Sequence, residues 1–555
     1  MGPRALLIDE AIRRISADVG PVVATSFLYE TAPQLVVDQP NFLNAVILVE
    51  SAIPDPHKLL RALQSIEAGM GRTPLCARPR YGPRPIDLDI LCYDDGLTTV
   101  TSPDLVVPHP LLSTRSFVLC PLADIRPDLI IPVRDPRDYP EVANASPATV
   151  IKLWNQLCAG SNDPPPRRVL PLGAHRIVDL DAIARCRSPL LMAIVNATPD
   201  SFSGDGIVPK DSATTESNGR AHLDCGVDEP KERIARAVSL GAEIIDVGGY
   251  STRPGHTDVP VADEIRRVMH VVDSIAGRHR GSTADGRDHE SDRLGVDCDA
   301  QDERGARCQS TDVLLSIDTF RPAVARACLD ALAPRADRHD AVVWINDVMG
   351  MRHDPLAMID LLRAHDGVGI VVMHSGRTLD SMVKDAPLAA QLLAPAQDRI
   401  DGGPHDIVDV VARDLLATVR WAESRGVSRW RIALDPGIGF GKSLADNLAL
   451  VGGAARLRAA VRGYPVLIGA SRKSFLGKAI AAATDQRAAV KSVHAGAPNI
   501  GLGLTDETRE HASHAVTTIA AWEGAHIVRV HDVVGSRAVL DIAAALANGP
   551  GTVSL

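Results

Sequence analysis

Hydrophobic positions along the chain follow two different rhythms. Up to residue 134, helical spacing over Ala5–Ile15 and His57–Met70 alternates with strand-like runs at Val22–Tyr29, Asn44–Glu50 and Ile86–Tyr93, which predicts a compact α+β unit over residues 1–134. Residues 135–173 then turn rich in proline, with Pro164-Pro165-Pro166 followed by Arg167-Arg168, and read as a semi-rigid linker around one short helix at Val150–Leu157. Beyond Leu190 come eight short apolar runs, each closing on polar or glycine-rich residues: Leu191–Val195, Glu243–Val247, Val313–Ile317, Val342–Ile345, Gly369–Met373, Arg431–Leu434, Pro465–Ile468 and Ala525–Val530. Amphipathic stretches such as Lys231–Leu240, Ala262–Ile275, Pro322–Leu332 and Asp406–Arg425 separate most of them. This repetition predicts a (β/α)8 TIM barrel across residues 174–555, whose active site lies at the C-terminal ends of the strands, where the polar clusters fall. Three segments break the rhythm, at 207–228, 277–311 and 394–404. The second is so poor in large apolar residues that burial cannot offset the entropy of ordering, and it reads as a disordered insertion.

Composition narrows the function classes. A formal charge of −10 repels polyanions as a whole and argues against nucleic acid as a partner, leaving small phosphorylated ligands held by local arginines. The nine cysteines are scattered with no C-x-x-C pair, which fits a reduced, cytoplasmic setting. No apolar run approaches the ~18 residues of a membrane span, so no membrane partner is expected.

The densest chemical signal in the first unit is Arg80-Tyr81-Gly82-Pro83-Arg84-Pro85-Ile86-Asp87-Leu88-Asp89-Ile90-Leu91. Extended backbone would put Asp87 and Asp89 on one face, as hard oxygen ligands suited to Mg2+, with Ile86, Leu88 and Ile90 toward the core. Arg80, Arg84, His109 and Arg115 lie close enough in sequence to neutralise phosphates. Alone, the paired aspartates read more readily as a solvated strand face, and His109 as a turn histidine. Together with Tyr29-Glu30-Thr31-Ala32-Pro33, Pro40-Asn41-Phe42-Leu43-Asn44-Ala45 and Gln64-Ser65-Ile66-Glu67, the segment resembles 6-hydroxymethyl-7,8-dihydropterin pyrophosphokinase over about Gly2 to Leu129. That resemblance implies a ferredoxin-like α+β fold with Thr31, Phe42, Asn44, Tyr81 and Phe117 around the pterin. It places Gln64, Glu67, Arg80, Arg84, His109 and Arg115 around ATP, and makes Asp87 and Asp89 the catalytic metal carboxylates. The family opens with a strand and a polar loop, of which Met1-Gly2-Pro3-Arg4 matches only the end. The native start is therefore expected upstream, where an organelle-targeting segment or an aldolase domain could be encoded. A non-catalytic docking module is the alternative for this unit.

The barrel carries a polar cluster at each strand end. They include Asn196-Ala197-Thr198-Pro199-Asp200, Asp246-Val247-Gly248-Gly249-Tyr250-Ser251-Thr252-Arg253-Pro254, Asp318-Thr319, Asn346-Asp347, Met373-His374, Asp435 through Lys442, Ser471-Arg472-Lys473 and Arg529-Val530-His531. These resemble the signatures of dihydropteroate synthase over about Pro189 to Leu540. A pterin edge presents donors and acceptors, for which carboxylates and an amide (Asp318, Asn346, Asp435) and a cation (Lys473) are matched partners, with Phe440 beside them. The resemblance implies that Asn196, Thr252, Arg253, Arg529 and His531 hold the diphosphate, Asn196 with Mg2+. It likewise assigns 4-aminobenzoate to Thr252, Pro254 and Ser471, and catalysis to Lys473 and Arg253, with a homodimer through barrel helices. Gly437 through Ser443 mimics a phosphate loop, but Pro436 stands at its first glycine position, which excludes a nucleotide there. Tyr250 departs from the small or acidic residue common in the family. The rival for this half is a pterin-binding methyltransferase, which would need neither Ser471-Arg472-Lys473 nor a fused kinase-like unit.

Overall fold

The computed structural model describes residues 3–33, 39–73, 84–93, 96, 98–132, 147–160, 164–173, 176–197, 230–250, 258–275, 313–332, 343–375, 406–492 and 505–549, with backbone alone over 485–492. Tyr81, Arg80, Thr252, Arg253, Pro254 and the three interrupting segments lie outside them. The chain divides into two compact units, one of Met1–Asp181 with Leu362–Gly367 and Val419–Arg431, the other of the remainder.

The first unit is α+β. Its elements are α1 (Arg4–Asp18), β1 (Val22–Thr25), β2 (Leu28–Thr31), β3 (Phe42–Asn44), β4 (Ile47–Val49), α2 (Pro56–Gly69), β5 (Val100–Thr101), β6 (Val106–Val107), α3 (Ser116–Ile125), β7 (Ile130–Pro132), β8 (Pro147–Thr149), α4 (Val150–Gly160), β9 (Arg167–Pro171) and β10 (Ile177–Asp179). The run expected as one strand over Val22–Tyr29 is cut in two at Ser26-Phe27. Ser26 Oγ donates to the Phe27 carbonyl and accepts from the Val46 amide, while the Phe27 amide turns to Asp124, so those backbone groups leave the ladder. β1 then pairs with β4, and β2 with β3 and β9. Ile86–Tyr93 is extended but joins no ladder among the described residues. The Leu88 amide instead donates to the Glu67 carboxylate at 2.8 Å, and the Leu91 carbonyl accepts from the His109 amide at 2.7 Å.

The stretch expected as a linker over 135–173 is folded wherever it is described. β8 pairs with β7, α4 runs beyond the expected short helix, and β9 pairs with β2. The proline run suggested a spacer, yet Val169, Leu170 and Leu172 directly after it are buried, and their burial fixes the chain against the first unit's sheet. Trp430 also sits in this unit's core, beside Ile12, Ile15, Leu28 and Leu63.

The second unit is built on eight parallel strands, all at the positions the apolar runs indicate. They are β11 (Leu190–Asn196), β12 (Ile244–Gly248), β13 (Leu314–Asp318), β14 (Val343–Asp347), β15 (Gly369–Met373), β16 (Ile432–Asp435), β17 (Leu467–Ile468) and β18 (Ile527–Val530). β18 pairs with both β11 and β17, and a parallel bridge from Leu434 to Val466 joins β16 to β17, which closes the barrel. The helices are α5 (Leu180–Cys186), α6 (Pro230–Ser239), α7 (Val261–Ile275), α8 (Pro322–Leu332), α9 (Pro355–Ala364), α10 (Ile407–Glu423), α11 (Leu444–Gly452), α12 (Ala454–Ala460), α13 (Ser474–Ser492), α14 (Asp506–Trp522) and α15 (Val533–Asn548). Strands buried on both faces read as continuous apolar runs, which is why they were legible.

Trp344 is among the largest fully buried side chains, and its register partner on β15 is Gly369. A Cβ at Gly369 would lie 2.6 Å from the Trp344 indole nitrogen. The Gly369→Ala variant is therefore expected to lose about 1–3 kcal/mol of stability through overpacking, read as a lower denaturant midpoint with an unchanged slope.

Candidate active site

Strand register assembles the barrel mouth. Gly248, Asp318 and Asn346 stand side by side at the ends of β12, β13 and β14, and Met373 stands beside Asp435 on β15 and β16. Arg529 from β18 donates through Nε to Asp246 and through Nη2 to Asp318, each at 2.6 Å. Asn346 Nδ2 donates to the same Asp246 oxygen at 3.0 Å, while the buried Asp246 Oδ1 has no hydrogen-bond partner among the described residues. Burial raises the pKa of Asp318 against the pull of Arg529, and Asp246, Glu264 and Asp347 raise it further. Asp435 is likewise raised by burial, with Lys473 opposing, and accepts the Gly437 amide at 2.7 Å. Burial pushes Lys473 down to about 8 against the attraction of Asp435. Its ammonium bonds the Ile438 carbonyl and lies 4.5 Å from the centre of the Phe440 ring. Val348, Met349 and Met373 form a buried apolar cluster against which Phe320 and Phe440 pack.

Two further pieces complete the mouth. Ser471 Oγ lies 3.0 Å from His531 Nδ1 and accepts the His531 amide at 3.3 Å, joining the ends of β17 and β18. Asn196 ends β11 opposite Gly248. In the phosphate-loop look-alike, Lys442 is committed to the carbonyls of His374, Gly437 and Phe440, and Ser443 caps α11. Gly437 must be glycine: its φ is +67°, and a Cβ would lie 1.9 Å from the His374 carbonyl oxygen. The motif holds a loop instead of a phosphate.

The first unit contains a cavity of about 1050 Å³ whose lining includes Thr31, Phe42, Asn44, Asp87, Asp89 and Phe117, with Arg84 and Arg115 also on its wall. Asn44 Nδ2 donates to Thr31 Oγ1 at 2.9 Å, and Arg115 lies 5.4 Å from the Phe117 ring centre. Asp87 pairs with Arg84 at 2.7 Å and Arg72 at 2.9 Å. Glu67, expected near ATP, is buried, and its carboxylate accepts the Leu88 amide and pairs with Arg72, which anchors the aspartate segment. Gln64 is exposed on α2, and His109 Nδ1 accepts the Leu111 amide as a turn histidine does; neither lines the cavity.

With this geometry in view, the similarity to known proteins is decisive. Residues 192–283 and 304–531 match the pterin-binding enzyme family, and residues 1–127 match 7,8-dihydro-6-hydroxymethylpterin-pyrophosphokinase (HPPK). The mitochondrial folate synthesis bifunctional protein of Arabidopsis thaliana is 31% identical over 96% of this chain and 79% of its own length. The chain belongs to the bifunctional folate-synthesis family. It is an enzyme of folate biosynthesis with HPPK and dihydropteroate synthase activities. The folic acid synthesis protein fol1 of Pneumocystis carinii is 31% identical over 86% of this chain, which spans about half (52%) of that protein. The crystal structure of wild-type Plasmodium falciparum HPPK-DHPS with pteroate shares the fold, with a TM-score of 0.62 at 17% identity over 98% of this chain and 94% of that one. Similarity through both units goes beyond what a methyltransferase or a docking module would require.

Several residues of the synthase site escaped sequence reading. Asp246 was visible in its motif, but its part as the shared acceptor of Arg529 and Asn346 depends on strands remote in sequence. Glu264, fully buried on α7, accepts Thr319 Oγ1 at 2.7 Å and Arg321 Nη1 at 2.8 Å; it looked like one more polar position of an amphipathic helix. Arg321 also pairs with Asp258, and its guanidinium lies 4.8 Å from the Tyr250 ring centre. The unusual tyrosine is thus a stacking partner for a buried cation. Glu264→Gln is expected to destabilise the synthase by roughly 3 kcal/mol, since it strips a buried partner from Arg321. Equilibrium unfolding checks this, with the control Asp263→Asn on the same helix changing stability by about 0.5 kcal/mol or less.

Proposed function

We propose that the barrel mouth recognises the pterin through Asp318, Asn346, Asp435 and Lys473, with Phe440 against the ring. Arg529, His531 and Asn196, together with Thr252 and Arg253, serve the diphosphate. The observation that carries this reading is the excess of buried acceptors over donors. Asp246, Asp318 and Asp435 converge with Arg529 and Lys473, leaving acceptor capacity for N–H groups of a ligand. The C–O bond from the pterin methylene to diphosphate breaks with its electron pair leaving on diphosphate. The amine of 4-aminobenzoate then forms the C–N bond and releases a proton. Ser471, with Thr252 and Pro254, borders the aminobenzoate. No protein nucleophile is required; the site's contribution is orientation and charge stabilisation.

In the first unit we assign the pterin to Thr31, Phe42, Asn44, Tyr81 and Phe117, and ATP to Arg80, Arg84 and Arg115, with Gln64, Glu67 and His109 as further candidates. Asp87 and Asp89 alternate with partly buried Ile86, Leu88 and Ile90, so two hard carboxylates share one exposed face, and this donor set fits Mg2+. When bound, Mg2+ supplies charge neutralisation for the phosphates there and at Asn196. Arg84 and Arg72, already paired with Asp87, orient that carboxylate and offer guanidinium groups to the same anion.

The barrel also presents an apolar face on its last two helices, where Ile519, Trp522, Val534, Ile542 and Leu546 are exposed, which supports a homodimer through these helices. Among the described residues no helix is long and apolar enough to cross a membrane. The cytoplasm remains the proposed compartment, and a mitochondrial one is supported by the name of the Arabidopsis relative.

Supplied with hydroxymethyldihydropterin, ATP, Mg2+ and 4-aminobenzoate, Asp87→Asn is expected to abolish dihydropteroate formation unless the pterin diphosphate is provided, whereas Lys473→Ala abolishes it in both cases. Restored turnover of Lys473→Ala on supplied diphosphate would refute the barrel assignment. Because burial depresses the Lys473 pKa to about 8, the pterin-binding ammonium is present below that pH and lost above it. The kcat/KM for the pterin diphosphate should fall as pH rises through about 8, and Lys473→Arg should move that limb upward. Combined Ile542→Glu and Leu546→Glu substitutions should shift a dimer to monomer in light scattering.

A further inference from the structure

Behind the mouth, α14 carries a row of polar side chains that touches the ends of both β17 and β18. Arg472, between Ser471 and Lys473, adopts a left-handed backbone with φ of 56° although it is not glycine. Its amide donates to Ser513 Oγ at 2.9 Å, and its Nε donates to Glu510 at 2.5 Å. Glu510 lies 3.8 Å from His514 Nε2, which meets Asp532 at 2.9 Å. Asp532 caps α15 by accepting the Gly535 amide, and it follows His531, whose ring returns to Ser471. The contacts therefore close on themselves, from Arg472 through Glu510, His514 and Asp532 to His531, Ser471 and back to Arg472.

Packing shows that the closure is specific. A Cβ at Gly535 would lie 2.4 Å from the His514 ring, so the imidazole rests directly on the first turn of α15 and has no room to swing toward it. The side chains of Arg472, Glu510, His514 and Asp532 are between 18% and 29% exposed, shielded enough for the polar contacts among them to count. None of these four touches the pterin-recognising group of Asp318, Asn346 and Asp435 through any described hydrogen bond.

We propose that His514 and Glu510 are positioning residues of the synthase. They set the spacing between the strand end bearing Ser471 and Lys473 and the one bearing Arg529 and His531, and so tune aminobenzoate capture separately from recognition of the pterin ring. The inference rests on the assignment of Ser471 to the aminobenzoate. It identifies a layer outside the substrate-touching residues, in which an imidazole links two loops whose side chains must meet across the incoming amine.

The test compares His514→Leu, which removes the link, with His514→Gln, which keeps a donor for Asp532, and with Glu510→Gln as an independent variant should the leucine fail to fold. Kinetics use the full chain with pterin diphosphate and 4-aminobenzoate, alongside amide hydrogen exchange of the segments 469–474 and 529–535. His514→Leu should raise KM for 4-aminobenzoate about tenfold with a smaller change in KM for the pterin diphosphate, and should speed exchange in both segments. His514→Gln should restore most of both effects, and Glu510→Gln should reproduce them in weaker form. Unchanged exchange and kinetics in His514→Leu, or equal losses in His514→Gln, overturn the inference. Faster exchange with unaltered KM in His514→Leu also overturns the inference, and an unaltered KM in Ser471→Ala separately overturns the assignment of Ser471.

Discussion

One guanidinium shared between two buried carboxylates sets the terms for the synthase mouth. Arg529 bridges Asp246 and Asp318, drawn from β18, β12 and β13, and no pair of these residues is close in sequence. Either aspartate alone in such a place would carry a desolvation cost of several kcal/mol, so the arginine is what permits two of them. The pair remains short of one positive charge, and burial accordingly holds the Asp318 pKa above the ordinary carboxylate range. A site built this way favours a neutral, donor-rich edge. A second cation would compete with Arg529, and an anion would meet Asp246 Oδ1, an acceptor with no partner among the described residues.

A second layer keeps that arrangement in register. Thr319 directly follows Asp318 and is held by Glu264; Asp347 directly follows Asn346 and accepts the amides of Met349 and Met351 at 2.8 Å each. Lys442 ties three carbonyls of the loop that carries Asp435 and Phe440. Beside Asp318 and beside Asn346, then, a division of labour holds in which the following residue is spent on the loop. The alternation of a strand puts successive side chains on opposite sides, so this division of labour follows from backbone geometry.

How much of this was readable depended on whether the signal was local. Apolar runs marked all eight barrel strands, because strands buried on both faces need no partner to be recognised. The mouth residues were legible through short motifs at those strand ends. The linker was misread because proline content is a local cue, whereas the pairing of Arg167–Pro171 with Leu28–Thr31 is not. The split of Val22–Tyr29 was hidden for the same reason: it hinges on Ser26 meeting Val46 and on Phe27 meeting Asp124. Glu67 was legible only as a motif position, and its contact with the Leu88 amide, remote in sequence, was not. The Glu510–His514–Asp532 contacts were not read from the sequence because they join a helix face to the end of the strand that follows it, a match that depends on how the two pack.

The two active units use the same side chain in opposite ways, and environment decides between them. Asp87 and Asp89 lie on an exposed face of an extended segment, with Arg84 and Arg72 paired to Asp87, as suits the metal and phosphate role proposed for them. Asp318 and Asp435 are held at the mouth of a closed barrel, where burial raises their pKa values, and they are the residues proposed to accept from the N–H groups of the pterin. One pair suits transfer of a pyrophosphoryl group onto a hydroxymethyl oxygen, and the other suits holding the same pterin while that group departs. Exchanging the two environments would defeat both reactions. Burying Asp87 and Asp89 would penalise the charge that their proposed metal role needs, and solvating Asp318 and Asp435 would let water satisfy the hydrogen bonds proposed to tell the pterin apart from other rings.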